Sequence, residues 1–261
     1  MSSNTSDQED FEFGSMFQEP QGFRPPPPQE RLEVFERAPA NVEAGSPASV
    51  KVNLLGQHPL WGHHLWNAAK VFANYLDSHK DIVRDQTVVE LGAAGALPSL
   101  VSALNGARRI VITDYPDSDL IANMRKNVEL NRIPASQAVV EGHRWGNDIE
   151  SIGRLSGSAQ NTFDVLILCD LVFNHSEHNG LLKSVDQLMD RDHGVAYVFF
   201  THHRPWLAAR DMEFIDRARD ELGLDVTRIV EEYTGPMFEE DPGDERVRGT
   251  VHGFRLGRSS A

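Results

Sequence analysis

From residue 61 to residue 254, short apolar runs alternate with segments whose apolar residues recur at helical spacing. Leu65, Ala68, Ala69, Phe72 and Leu76 share one helical face and predict a helix over about Trp61–Leu76. Thr87–Leu91 is a short apolar strand ending at Gly92, followed by a helix from Leu97 to Leu104 that Asn105-Gly106 closes. A second strand, Arg109–Thr113, ends at Asp114, and a helix spans Leu120–Leu130. Strands at Ala138–Gly142 and Asp164–Cys169 follow, then a helix over about Leu181–Met189 and a strand at Val195–Phe200. Arg210–Leu222 reads as helix, and Val226–Val230 and Val247–Phe254 as the last strands. Strands rich in Val, Ile and Leu that alternate with helices imply a mostly parallel sheet covered on both faces. The last two strands have only a turn-rich acidic linker, Glu239–Glu245, between them, which predicts an antiparallel hairpin.

The first fifty residues break this pattern. Met1–Gly14 is polar and acidic without a basic residue, and Pro25, Pro26, Pro27 and Pro28 cannot enter a helix or a sheet interior. Residues 1–50 therefore read as a mostly disordered arm, with Met16, Phe17 and Phe23 as its candidate anchors. Residues 51–256 form one α/β domain, and 257–261 a loose tail.

Charge narrows the partners. The 261 residues carry 25 basic and 39 acidic side chains, a net of −14. Such a surface repels nucleic-acid phosphates and attracts cations and basic peptides. No run reaches the ~18 apolar residues of a membrane span, and the acidic N-terminus lacks the basic head and apolar stretch of a secretory signal. A single cysteine, Cys169, forms no intrachain disulfide and is too few for a cysteine-built zinc site. The expected compartment is the reducing cytoplasm, and the expected state a monomer.

Open α/β sheets bind ligands at the carboxyl ends of their strands. The first strand ends in Glu90-Leu-Gly92-Ala93-Ala94-Gly95-Ala96, a small-residue loop that lets backbone approach a ligand and aims a helix N-terminus at it. Twenty-four positions beyond Glu90, Asp114 stands where a carboxylate can accept both hydroxyl protons of a ribose. Ala94 replaces the glycine that a dinucleotide pyrophosphate requires. A nucleoside without phosphates tolerates it, so S-adenosylmethionine fits better than NAD, with Trp145 as an adenine wall. The fourth strand ends in Cys169-Asp170, and Phe173 follows. A carboxylate there orients an amine nucleophile, and the ring holds the cationic methylated product. Plainer roles compete: Asp114 as a helix cap, Trp145 as core, Asp170 as a loop acid, and Cys169 as a strand residue whose backbone alone meets a ligand. His63-His64 and His202-His203 are adjacent pairs that diverge, so no metal site is expected; His202, His203 and Arg204 lie at the pocket rim.

These residues together resemble the seven-β-strand S-adenosylmethionine methyltransferases of the lysine-methylating branch. The resemblance runs from about Phe17 to Leu256 and rests on Glu90–Ser99, Thr113-Asp114-Tyr-Pro116, Trp145-Gly146 and Asp170-Leu-Val-Phe173-Asn-His175. It is narrowed by His58-Pro-Leu-Trp61-Gly-His-His-Leu-Trp66-Asn and Met237-Phe-Glu-Glu-Asp-Pro-Gly-Asp244, which are similar to the fungal branch acting on translation elongation factor 1-alpha. The resemblance implies a Rossmann-like seven-stranded methyltransferase sheet, mostly parallel with a C-terminal antiparallel hairpin. It implies methylation of an N-terminal α-amine and a nearby lysine of that factor. It also implies cofactor contacts from Gly92, Ala93, Ala94, Asp114, Trp145, Cys169 and one of Trp61 and Trp66, with Asp170 and Phe173 at the amine. Two departures stand out: Ala94 and Ala96 replace the second and third glycines of the common loop, and Phe173 replaces the usual tyrosine. A nicotinamide-type small-molecule N-methyltransferase, or a non-catalytic cofactor-binding module, would share these residues.

Overall fold

The computed structural model describes residues 28–258. The arm's anchors Met16, Phe17 and Phe23 and residues 259–261 lie outside that range. In chain order the elements are β1 (Arg31–Glu36), β2 (Ser49–Leu54), α1 (Asn67–Ser78), β3 (Thr87–Leu91), α2 (Leu97–Leu104), β4 (Arg109–Asp114), α3 (Ser118–Leu130) and β5 (Ala138–Gly142). They continue as α4 (Glu150–Leu155), β6 (Val165–Cys169), α5 (His178–Leu188), β7 (Val195–Thr201), α6 (Ala208–Leu222), β8 (Leu224–Tyr233), α7 (Glu245–Gly249) and β9 (Thr250–Arg258).

Seven strands form one sheet in the order β5-β4-β3-β6-β7-β9-β8. Strands β3 to β7 pair in parallel, whereas β9 lies antiparallel between β7 and β8. The C-terminal antiparallel hairpin of the sequence reading is therefore present, and its second strand is inserted into the sheet rather than left at the edge. Successive strand residues point to opposite faces, and the two cores follow from this. Val88, Ile110, Ile112 and Ile167 pack with α1 and α2 on one side, while Val89, Val111, Leu166 and Leu168 pack with α5 and α6 on the other. Phe72 of α1 is fully buried, its ring 4.3 Å from that of Phe199; burying such a side chain is worth about 1.5–3 kcal/mol in transfer free energy.

Chain order reverses between β3 and β6, so their carboxyl ends, at Gly92 and Asp170, flank the crevice where such sheets bind ligands.

The structure departs from the sequence reading in several places. Residues 31–50 are not a disordered arm: β1 and β2 form a two-stranded antiparallel sheet whose Val50, Val52 and Leu54 enter the core. Its attachment is polar as well. Asn53 exchanges hydrogen bonds with Asn123 and Asn127 of α3, and the buried Arg37 guanidinium is bidentate to Asp77 of α1. The helix expected from Trp61 starts only at Asn67, because Trp61 takes a left-handed φ of +63° and the segment to Trp66 is a turn. Val247 belongs to α7, which the Asp244 carboxylate caps, so β9 starts at Thr250. Gly257 and Arg258 continue β9 instead of starting a tail. Two short helices, α4 and α7, have no counterpart in the sequence reading. Among the described residues, no helix is long and apolar enough to cross a membrane.

Candidate functional site

A cleft of about 500 Å³ opens at the carboxyl ends of β3, β4 and β6. It brings together Trp61, Trp66, Gly92, Ala94, Asp114, Trp145, Cys169, Asp170 and Phe173 from the sequence-predicted set. Ala93 alone sits behind it, buried, with its N–H donating to the Thr113 carbonyl at 3.0 Å. Pro59, Leu60, Tyr115, His143, Arg144, Leu171, Asn174 and Glu177 also line the cleft. Sequence reasoning did not single these out; most adjoin a residue that it did.

The floor of the cleft is the loop after β3. Gly92 has φ +63°, and a Cβ there would lie 2.6 Å from Leu171 Cδ2 and 3.0 Å from Trp145 Cζ2. Only glycine meets both conditions. Ala94 and Ala96 also sit at left-handed φ values, +46° and +60°. The alanines that replace the common glycines thus keep the glycine backbone, at a cost of roughly 1–2 kcal/mol each. Below the loop, the buried Glu90 carboxyl accepts the Ser99 N–H in the first turn of α2. Burial, helped by the nearby Asp114, pushes the Glu90 pKa up to about 8.

Asp114 is buried at the end of β4. Its two oxygens accept the Ala94 N–H at 2.8 Å and the Tyr115 N–H at 2.7 Å. The cap of α3 is Asp117, three residues on, so Asp114 does not serve as the helix cap. Its carboxylate is tied to the loop and lines the cleft, with lone pairs left for vicinal hydroxyls. Burial holds its pKa above the ordinary aspartate range, against the two backbone donors. Burial likewise raises the Cys169 thiol, with Glu90 and Asp170 adding to the effect, so this sulfur is no thiolate nucleophile.

Asp170 follows β6 at a left-handed φ of +52°. Such strain in a non-glycine residue persists where the surroundings enforce it. Here the Asp170 N–H donates to the Phe199 carbonyl, and its Oδ1 accepts the Thr201 N–H at 3.0 Å. Its Oδ2 is buried and has no hydrogen-bond partner among the described residues. A buried unpaired acceptor costs about 1–3 kcal/mol, and a cationic donor entering the cleft would relieve it.

A second cavity of about 610 Å³ adjoins the first and shares Trp61, Trp66, Phe173 and Asn174 with it. His64, His203, Arg204, Phe238 and Asp241 complete its lining. Its walls are aromatic: Trp66 makes edge contacts with His203 at 4.9 Å and Phe238 at 6.1 Å. Trp61 is 51% exposed at the mouth. The adjacent histidines after β7 do diverge. His202 pairs with the buried Asp211 at 2.7 Å and His203 with Asp170 at 3.2 Å. Among the described residues no three His, Cys, Asp or Glu side chains are grouped to hold a metal ion.

The residues fit a phosphate-free nucleoside with a cationic end: a buried ribose-type acid, a loop with no room beyond Gly92, an indole wall and an unpaired carboxylate oxygen. The protein N-terminal and lysine N-methyltransferase of Schizosaccharomyces pombe is 46% identical over 251 residues, covering 95% of this chain and 96% of that protein. That of Kluyveromyces lactis is 40% identical over 268 residues, covering 96% and 98%. In fold, the chain matches a solved methyltransferase complexed with S-adenosylhomocysteine at a TM-score of 0.55 and 13% identity, over 79% of this chain and 53% of that one, so it spans about half of that structure. Residues 56–221 match the family described as lysine methyltransferase, and the chain belongs to that family.

Proposed function

We propose that this chain is an S-adenosylmethionine-dependent protein N-methyltransferase whose substrate is the N-terminal α-amine and a nearby lysine of translation elongation factor 1-alpha. The observation that carries the reading is that two cavities adjoin beside one carboxylate. The nucleoside-type cleft and the aromatic groove share Trp61, Trp66, Phe173 and Asn174, and Asp170, whose Oδ2 is unpaired, lines the cleft and pairs with His203 of the groove. The names of the similar fungal proteins supply the reaction class. The net charge of −14 and the exposed Glu239, Glu240 and Asp241 beside the groove suit a basic peptide.

S-adenosylmethionine supplies, when bound, a methyl group on a sulfonium that is already activated for transfer to nitrogen. In this reading Asp114 accepts the ribose hydroxyls, Gly92 and Ala94 let backbone approach, and Trp145 walls the adenine. Asp170 orients the amine through Oδ2 for in-line attack on the methyl group. Phe173, Trp66 and Phe238 face the amine with rings that attract a methylammonium. Phe173 has no hydroxyl to fix one rotamer of the amine by hydrogen bonding, which suits repeated rounds of methylation. The compartment proposed is the cytoplasm, where the factor serves translation.

The test offers the purified protein and S-adenosylmethionine two acceptors, the N-terminal peptide of elongation factor 1-alpha and nicotinamide. Methyl groups mapped by mass spectrometry to the peptide α-amine and lysine are the expected result. Methylated nicotinamide with an unmodified peptide would establish the small-molecule reading instead.

A further inference from the structure

The proposed reaction leaves one step without an owner: an amine that arrives as an ammonium must lose a proton before its nitrogen can attack a methyl group. We propose that His203, held by Asp170, is the group that takes this proton. The inference rests on the function proposed above and deepens it.

Geometry carries it. His203 Nε2 lies 3.2 Å from Asp170 Oδ1. A carboxylate only accepts, so in the neutral ring Nε2 holds the hydrogen and Nδ1 keeps the lone pair. The hydrogen bond found for this ring among the described residues is the one from Nε2 to Asp170, which leaves Nδ1 for a ligand. The ring lines the groove at its junction with the cleft, between Trp66 at 4.9 Å and Phe173 at 6.3 Å. Its side chain is 22% exposed, so a proton received there has a way out to water. His202 is turned away onto Asp211, which also binds His175 at 2.7 Å and so ties the loop after Phe173 to the end of β7. An orienting carboxylate behind an imidazole whose second nitrogen is free is the arrangement of a general base.

The charges around the ring agree. Burial lowers the affinity of His203 for a proton, but Asp170 at the end of β6, Asp211 on α6 and Asp241 before α7 together outweigh it and hold the pKa above the ordinary value. Arg204 is turned away, its guanidinium donating to the Phe173 carbonyl at 2.8 Å, and burial lowers the pKa of His64, which also lines the groove.

Each round balances. The substrate ammonium gives one proton to Nδ1, leaving a neutral amine and an imidazolium. The amine lone pair forms the new C–N bond as the C–S bond of the sulfonium breaks, giving a methylated ammonium and a neutral thioether. His203 returns its proton to water through the groove, and the methylated ammonium can give up its own proton in the next round.

The experiment measures kcat for His203→Gln and the wild-type enzyme between pH 6.5 and 9.5, on the same peptide, with S-adenosylhomocysteine affinity as a check of the folded site. An α-amine of pKa near 8 is already about one-tenth neutral at pH 7, so losing the acceptor costs up to about tenfold there. For a lysine near 10.4 the neutral fraction is about one in 2,500, so the acceptor matters more, and the loss should reach about 100-fold, the lower end of general-base catalysis. The lysine deficit should shrink steadily as the pH rises toward 9.5, and the α-amine deficit should be nearly gone by about pH 9, as each amine deprotonates unaided. A deficit of constant size at every pH would show a merely structural histidine and overturn the proposal, as would no deficit at pH 7. His203→Asn gives a second test should the glutamine variant lose cofactor affinity. If the wild-type enzyme itself leaves the peptide unmodified, the function proposed above fails, and the proton acceptor fails with it.

Discussion

Replacing Glu90 by glutamine should make the protein more stable, increasingly so as the pH rises. Glu90 is 1% exposed beneath the loop after β3, and burial moves its pKa from 4.5 to about 8. Between those values the unfolded chain releases a proton that the folded chain retains, so wild-type stability is fully present below pH 4.5 and is lost as pH climbs toward 8. The slope is about 1.4 kcal/mol per pH unit. Relative to its own low-pH baseline, Glu90→Gln should gain about 1 kcal/mol over wild type at pH 5, about 3 at pH 7 and about 5 above pH 8. Glutamine keeps an acceptor for the Ser99 N–H, now 3.0 Å from the Glu90 carboxyl. Its extra N–H shifts the baseline without altering the slope. Urea unfolding of both proteins at pH 5, 7 and 9 measures the difference. A difference that stays flat across that range would refute the claim that Glu90 is held neutral by burial.

Asp114→Asn keeps the side-chain shape but removes a charged acceptor; hydrogen bonds to charged groups are worth about 1.5–3 kcal/mol, so titration calorimetry should show S-adenosylhomocysteine affinity reduced roughly 10- to 150-fold. Because burial raises the Asp114 pKa, wild-type affinity should start to fall, on acidification, above the ordinary aspartate range, and an affinity flat with pH would count against an ionised acceptor. Gly92→Ala combines a left-handed backbone with overpacking against Leu171 and Trp145, costing about 2–5 kcal/mol in urea unfolding; a fully stable variant would mean that the loop is slack. Ala94→Gly relieves the same kind of strain and should change stability by less than about 1 kcal/mol, in the favourable direction.

The central sheet was legible because its inner strands are buried on both faces and read as largely apolar runs. Thr87–Leu91 and Ala138–Gly142 keep their sequence-derived limits in the structure. Legibility fell where distant partners decide the conformation. The hairpin at 31–54 is fastened by Asn53 to Asn123 and Asn127, some seventy positions away, and by Arg37 to Asp77. Leu32 and Val34 of β1 face solvent while Glu33 shares the face of the buried Phe35, so the apolar alternation of this strand does not mark its buried side. Trp61–Trp66 has helical spacing, but a left-handed Trp61 and the contact of Gly62 with Leu120 hold it as a turn against the cleft. The loop shows the opposite relation: its alanines looked like a departure from a glycine pattern, yet Ala94 and Ala96 keep glycine-like dihedrals. For the histidine pair, divergence was readable from adjacency, whereas the carboxylates that receive them come from β6 and α6 and needed the fold.

The central claim is transfer of a methyl group from S-adenosylmethionine to a protein amine through the cleft that holds Asp114 and Asp170. The most direct measurement adds the purified protein and tritiated S-adenosylmethionine to an extract of Schizosaccharomyces pombe lacking its own relative. One labelled band at the size of elongation factor 1-alpha, absent with Asp114→Asn, is the predicted result. Label confined to small molecules, or a band equally strong with the variant, would contradict it.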